Sequence, residues 1–262
     1  MKRIFLSFTL AILSLSAEII ETGTFSNILN HVSEDTLVVL DIDDTLLLPK
    51  QTLGNDAWFC YRWQEHQNNG LSKSEALEKA LAEWEAIRHL TEVKIVEEGT
   101  EEVVSQVQKM GIPVMALTTQ GLALTTRTLQ QLATLKIDME KAAPSNEEYY
   151  FLNPSPYGGT QGVIYRKGVL FTAGSKKGAA LKTLLEHLNL KPKHIVFIND
   201  KESHLKDVEE DMEKMGIHFT GLRYSIGDER VKSFDPRLTD IQWKHSTLGH
   251  LLSDQEALRL LN

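Results

Sequence analysis

The chain has a single cysteine, Cys60, in 262 residues. That excludes an intramolecular disulfide, a cysteine-based zinc site and a dithiol redox pair, and a lone thiol reads as a small buried hydrophobe before it reads as a nucleophile. Basic charge is in deficit, with 28 Lys and Arg against 36 Asp and Glu and a formal net charge of -8. Nucleic acid and anionic membrane surfaces are disfavoured as partners by that balance. Beyond residue 17 no apolar run is long enough to cross a bilayer. Internal repeats and low-complexity linkers are missing. The 9 histidines show no metal-ligand spacing, so neutral surface or core positions are expected for them.

What is present begins at the start of the chain. Met1-Lys2-Arg3, the apolar stretch Ile4 to Ala17 and its Leu15-Ser16-Ala17 end together have the layout of a signal peptide cleaved after Ala17. The expectation is a periplasmic or secreted protein with no stable membrane insertion after cleavage; an uncleaved anchor or a buried first helix is the competing reading. Without residues 1–17 the chain keeps 26 basic and 36 acidic residues, a formal charge of -10. A composition of 42% hydrophobic and 24% charged residues suits one full core over residues 18–262, with an insertion.

Apolar runs predict strands at 36–41, 112–117, 194–198 and 217–222. Helical patterns lie between them. Ser72 with Glu75 forms a capping box ahead of the stripe Leu77, Ala80, Leu81, Trp84 and Ile87. Thr100 is placed to cap a helix that ends at Gly111. Residues 162–172 read as a β-hairpin turning at Lys167-Gly168, and residues 144–162, rich in turn formers, read as irregular. The tail from Asp240 reads as two short closing helices without chemistry. Strands alternating with helices predict an α/β, doubly wound parallel sheet.

The strand Leu37 to Leu40 runs into Asp41-Ile42-Asp43-Asp44-Thr45. Side chains two apart on an extended chain point the same way, so Asp41 and Asp43 crowd one spot. Such crowding persists if a cation lies between the carboxylates, if one of them keeps a proton, or if the segment is a solvated turn. Ligands in open α/β sheets sit beyond the carboxyl ends of the strands. Read there, Asp41 and Asp43 are joined by Thr118 with Thr119 beside it, by Lys176 or Lys177 at a helix start, and by Asp200 after Asn199.

These four groups, in this order, resemble the motifs of the haloacid dehalogenase-like hydrolase superfamily, over roughly residues 36–225. The exported character and Leu40-Asp41-Ile42-Asp43-Asp44-Thr45 are most similar to the secreted bacterial acid phosphatases of classes B and C. The resemblance implies a Rossmann-like core with a small helical cap inserted at about 48–100. It implies Asp41 as nucleophile and Asp43 as general acid and base, with Thr118 and Lys177 on the phosphoryl oxygens. Mg²⁺ would be held by Asp41, the backbone carbonyl of Asp43, and Asp200. Lys177 is favoured over Lys176 because Gly178 follows it, as in the family's usual Lys-Gly. Asn199 departs from the pattern, with Asp207 or Glu202 as substitute metal support. The cap aromatics Trp58, Phe59, Tyr61 and Trp63 either stack on a leaving group or pack the cap. The expected activity is magnesium-dependent hydrolysis of small phosphomonoesters through an aspartyl-phosphate. A binding or scaffold protein without turnover, and a phosphotransferase, are the rival readings.

Overall fold

The structure, a computed structural model, describes residues 18–261. The signal-peptide reading falls on residues 1–17, outside the described residues. The strands are β1 (Glu18–Thr22), β2 (Thr36–Leu40), β3 (Leu47–Pro49), β4 (Val93–Ile95), β5 (Val114–Thr118), β6 (Tyr149–Pro154), β7 (Thr160–Arg166), β8 (Val169–Phe171), β9 (His194–Asn199) and β10 (His218–Tyr224). The helices are α1 (Asp56–Asn68), α2 (Lys73–Leu90), α3 (Thr100–Lys109), α4 (Thr125–Thr134), α5 (Lys177–His187), α6 (Glu202–Lys214), α7 (Asp228–Lys232), α8 (Pro236–His245) and α9 (Asp254–Leu261).

Eight strands form one sheet in the order β1-β10-β9-β2-β5-β8-β7-β6. From β1 to β8 the pairings are parallel, and only β7 runs against its neighbours. The alternation along β2 explains the layers. Val38 and Leu40 face α3 and α4 through Val104, Val107 and Leu132, whereas Leu37 and Val39 face α5 and α6 through Leu181, Leu184 and Leu205. A strand buried on both faces must read as an unbroken apolar run, as β2, β5 and β9 do. From β2 the chain crosses first to β5 on one side and later reaches β9 on the other. The strand order therefore reverses at β2, and a crevice opens beyond its carboxyl end.

The insertion rises from the antiparallel pair β3 and β4 as the helical hairpin α1–α2. The capping box forms: Ser72 accepts the Glu75 amide, and Glu75 accepts the Ser72 amide. Helices α8 and α9 close over this hairpin. Trp58 packs on Trp243 with ring centroids 5.5 Å apart. Gln242 accepts the Leu53 amide and donates to Leu252 and Asp254, and Asp254 also accepts from Thr52.

Four local expectations are corrected. Residues 149–154, read as irregular, form edge strand β6, whose half-buried alternation is that of a two-sided edge; the turn formers serve the β6–β7 loop, with Gly158 and Gly159 at φ 98 and 72. Thr100 is the first helical residue rather than the cap, which is Gly99 at φ 89, and its hydroxyl donates to the Glu97 carbonyl at 2.8 Å. Cys60 is exposed on α1 rather than buried. Glu202 lies on the surface, paired with Lys206 at 2.6 Å. The hairpin does turn at Lys167-Gly168, with φ 49 and 76, the left-handed pair of a type I′ turn.

Candidate active site

The loop after β2 folds back on itself because the Ile42 carbonyl accepts from the amides of both Leu46 and Leu47, at 2.9 and 3.0 Å. The reversal puts Asp44 at φ 59, a left-handed conformation that Asp tolerates better than most residues. It leaves Asp41 and Asp43 at the crevice. Asp41 is 5% exposed, and Lys177 Nζ, 1% exposed at the first position of α5, donates to its Oδ1 at 2.5 Å. Of the two candidate lysines, Lys177 is thus the one that reaches Asp41.

The reason for Gly178 is steric. A Cβ there would lie 2.2 Å from the Asp207 carbonyl oxygen. The Gly178 amide also donates to the Asp207 carboxylate at 2.9 Å. Asp207 on α6 therefore ties down the start of α5.

Asp43 is gripped from two sides. Gln120 Nε2 donates to its Oδ2 at 2.8 Å, and Arg88 Nη1 lies 3.0 Å from Oδ1, although not aligned as a hydrogen bond. Burial raises the Asp43 carboxyl above its usual range, opposed by Arg88 and Gln120. Asp44 is pushed up to about 7 by burial despite its 2.7 Å pair with Arg230. Thr118 ends β5, 1% exposed; its hydroxyl oxygen accepts the Gln120 amide at 3.1 Å, which leaves the hydroxyl proton free to donate.

Asp200 follows β9, and its carboxyl is held well above the usual range by burial and by the nearby Asp41 charge. Two carboxylates that repel in a buried site, with a backbone carbonyl between them in the chain, form an oxygen-only donor set that suits a hard cation. Among the described residues no group of three His, Cys, Asp or Glu side chains is arranged to hold a metal; the implied set uses two side chains, Asp41 and Asp200, with the Asp43 carbonyl. Asn199 is fully buried. Its Oδ1 accepts the Lys201 amide at 2.7 Å and its Nδ2 has no partner.

A cavity of about 310 Å³ opens beside Lys177 and Thr119. Phe59, Trp63 and Leu81 of the insertion and Tyr157 of the β6–β7 loop form one wall, and Lys201 and His204 part of the other. Of the aromatic cluster, Trp58 packs against Trp243 and Tyr61 against Phe234, whereas Phe59 and Trp63 reach the cavity. The His204 ring is held neutral by burial and by Lys177 and Lys201.

Sequence reasoning missed Arg88, Gln120, Lys201 and His204. For Arg88 a signal existed. It falls four residues after Trp84 on the same helical stripe as Leu77 and Leu81, and a charge on an apolar stripe must find a buried partner. Lys201 pairs with Asp56 at 2.6 Å, across the insertion boundary, which spacing along the chain does not reveal.

A mostly parallel sheet thus carries Asp41 and Asp43, Thr118, Lys177 and Asp200 at its carboxyl edge. Residues 21–258 match the family described as protein of unknown function DUF2608, and the chain belongs to that family. It is 28% identical over 253 residues to a Chlamydia pneumoniae protein named "Putative outer membrane protein", covering 95% of this chain and 91% of that one. Among solved structures, it is similar to a "Putative Phosphatase from Clostridium difficile" at 16% identity and a TM-score of 0.43, over 74% of this chain and 97% of that one. A haloacid dehalogenase-like family hydrolase from Streptococcus pneumoniae is similar at 14% identity and a TM-score of 0.40, over 71% of this chain and 93% of that one.

Proposed function

We propose that the chain is a magnesium-dependent phosphomonoester hydrolase working through an aspartyl-phosphate on Asp41. The observation that carries this reading is the buried contact of Asp41 with Lys177, a residue that lines a cavity, with Asp43 gripped two residues away.

The chemistry follows from the side chains. An Asp41 carboxylate oxygen attacks phosphorus and forms the acyl phosphate as the bond to the leaving oxygen breaks. Asp43, its proton affinity raised by burial, supplies the proton that the departing alkoxide needs. Asp43 then takes a proton from water, the hydroxide attacks phosphorus, and Asp41 is released with inorganic phosphate. Lys177 and Thr118 donate to the phosphoryl oxygens, whose charge is greatest as the bonds change. Lys177 must exchange part of its contact with Asp41 for this, and a side chain with three donors can do so without giving up the pair. Asp41, Asp200 and the Asp43 carbonyl would hold Mg²⁺, which when bound offsets the repulsion between anionic nucleophile and anionic substrate.

The insertion over residues 48–100 serves in this reading as a lid. By covering the strand ends it keeps water from the phosphorus and restricts the substrate to small organic phosphates, free of nucleic acid or membrane partners. Export is part of the same reading. It is supported by the basic and apolar start of the chain and by the name of the Chlamydia relative. Among the described residues no helix is long and apolar enough to cross a membrane.

The test is phosphate release from a panel of phosphomonoesters with and without magnesium. Turnover of several small esters that disappears on chelation is expected. Magnesium binding without turnover of any ester would instead favour a scaffold.

A further inference from the structure

Arg88 has no role in the chemistry above, yet it is a large charged side chain in the last turn of α2 with 1% of its surface exposed. Its guanidinium lies over the Trp84 ring, 5.1 Å from the centroid, and Nη2 donates to Gln131 Oε1 at 3.4 Å. Gln131 in turn donates to the carbonyls of Arg88 and Thr91, at 3.3 and 3.0 Å. One helical turn earlier, the Glu85 carboxylate accepts the Gly121 amide, and a Cβ on Gly121 would fall 1.9 Å from Glu85 Oε1. Helix α2 is thus seated on the loop after β5, and this seating brings Arg88 Nη1 to 3.0 Å from Asp43 Oδ1.

We propose that Arg88 is a positioning residue for Asp43, supplied by the insertion, so that protonation of the leaving group depends on α2 being seated. The inference rests on the phosphatase reading. A buried ion pair adds little to stability compared with well-packed apolar residues, so stability alone does not account for a buried arginine here. Geometry does. Arg88 and Gln120 approach different oxygens of one carboxyl group, which blocks its rotation. Each oxygen has a second lone pair, so a proton can still sit on the side facing the leaving group. Loss of Arg88 frees the carboxyl to turn, and general-acid help is lost while the nucleophile and the phosphoryl grip stay in place.

Leaving groups separate this role from a structural one. An alkyl phosphate must expel a strongly basic alkoxide, whereas p-nitrophenolate departs without a proton. In R88M, kcat for glycerol phosphate is expected to fall about 100-fold and kcat for p-nitrophenyl phosphate about threefold, with KM for both within about twofold of wild type. R88K keeps the charge on a shorter reach and should show the same inequality at reduced size, which preserves the test if R88M does not fold. Equal losses on both substrates in a folded variant, or no loss on either, would overturn the assignment. Wild-type protein that hydrolyses neither ester fails the phosphatase reading, and the Arg88 role falls with it. Wild-type turnover with a uniform loss in the variants fails Arg88 alone.

Discussion

Gly178 and Asp207 are in a contact that admits no side chain at position 178: the Gly178 amide donates to the Asp207 carboxylate at 2.9 Å, and an added Cβ would stand 2.2 Å from the Asp207 carbonyl oxygen. Because Lys177 precedes this glycine and reaches Asp41, the packing of α5 on α6 sets where the ammonium lies.

Gly178→Ala is accordingly expected to cost about 1–3 kcal/mol by overpacking, and to lower kcat by roughly 10²-fold as Lys177 shifts. Urea unfolding and steady-state kinetics on one preparation measure both. A stable variant with wild-type kcat would show that the contact does not position Lys177.

Metal dependence should distinguish two neighbouring carboxylates. Asp200→Ala is expected to raise the magnesium concentration for half-maximal activity far more than Asp207→Ala, because Asp200 shares a buried site with Asp41 while Asp207 is engaged by Gly178. Magnesium titrations of the two variants give the ranking, and the reverse order would contradict the donor set.

The strands that could be read from the sequence were those buried on both faces. Val38, Leu40, Leu37 and Val39 fill two layers, so β2 has no polar position to interrupt its run. Strand β6 was hidden because Tyr150 and Leu152 are exposed on a sheet edge, 55% and 62%, while Phe151 and Asn153 are buried. A sequence cannot show which side of such an alternation is wet. In the site, Asp41, Thr118, Lys177 and Asp200 were legible because each abuts the end of a strand or the start of a helix. The partner of Arg88 and Gln120 was not, since Asp43 lies 45 and 77 positions away along the chain, and Arg88 meets it only once α2 docks.

Acid should act partly through a histidine far from the chemistry. His194 packs against His218, ring centroids 4.4 Å apart and the planes tilted by 39°, and burial, His218 and His31 lower its pKa to about 4. An unfolded histidine titrates near 6.5, so between these values the unfolded chain binds the additional proton. The stabilising effect of neutral His194 is therefore complete above pH 6.5 and is lost as pH falls towards 4. Denaturant midpoints at pH 7 and pH 4.5 should fall more for wild type than for His194→Gln; parallel losses would remove His194 as the cause.

The clamp of the tail on the insertion is also testable. Gln242, fully buried, satisfies Leu53, Leu252 and Asp254 together. Gln242→Leu leaves the buried Leu53 amide unmet, removes the bonds to Leu252 and Asp254, and should destabilise the protein by about 1–3 kcal/mol. Hydrogen exchange is expected to rise at Leu53 and in α1 ahead of the central strands. Exchange that increases evenly through β2 and β9 would mean that the tail supports the core and not the insertion.

The central claim is most directly tested by phosphate release from p-nitrophenyl phosphate by Asp41→Asn, compared with wild type at saturating magnesium and with circular dichroism confirming that both are folded. The amide can still accept from Lys177 but cannot form an acyl phosphate, so wild-type turnover with release at background in the variant is the predicted result. A folded Asp41→Asn protein that hydrolyses the ester at the wild-type rate would contradict it.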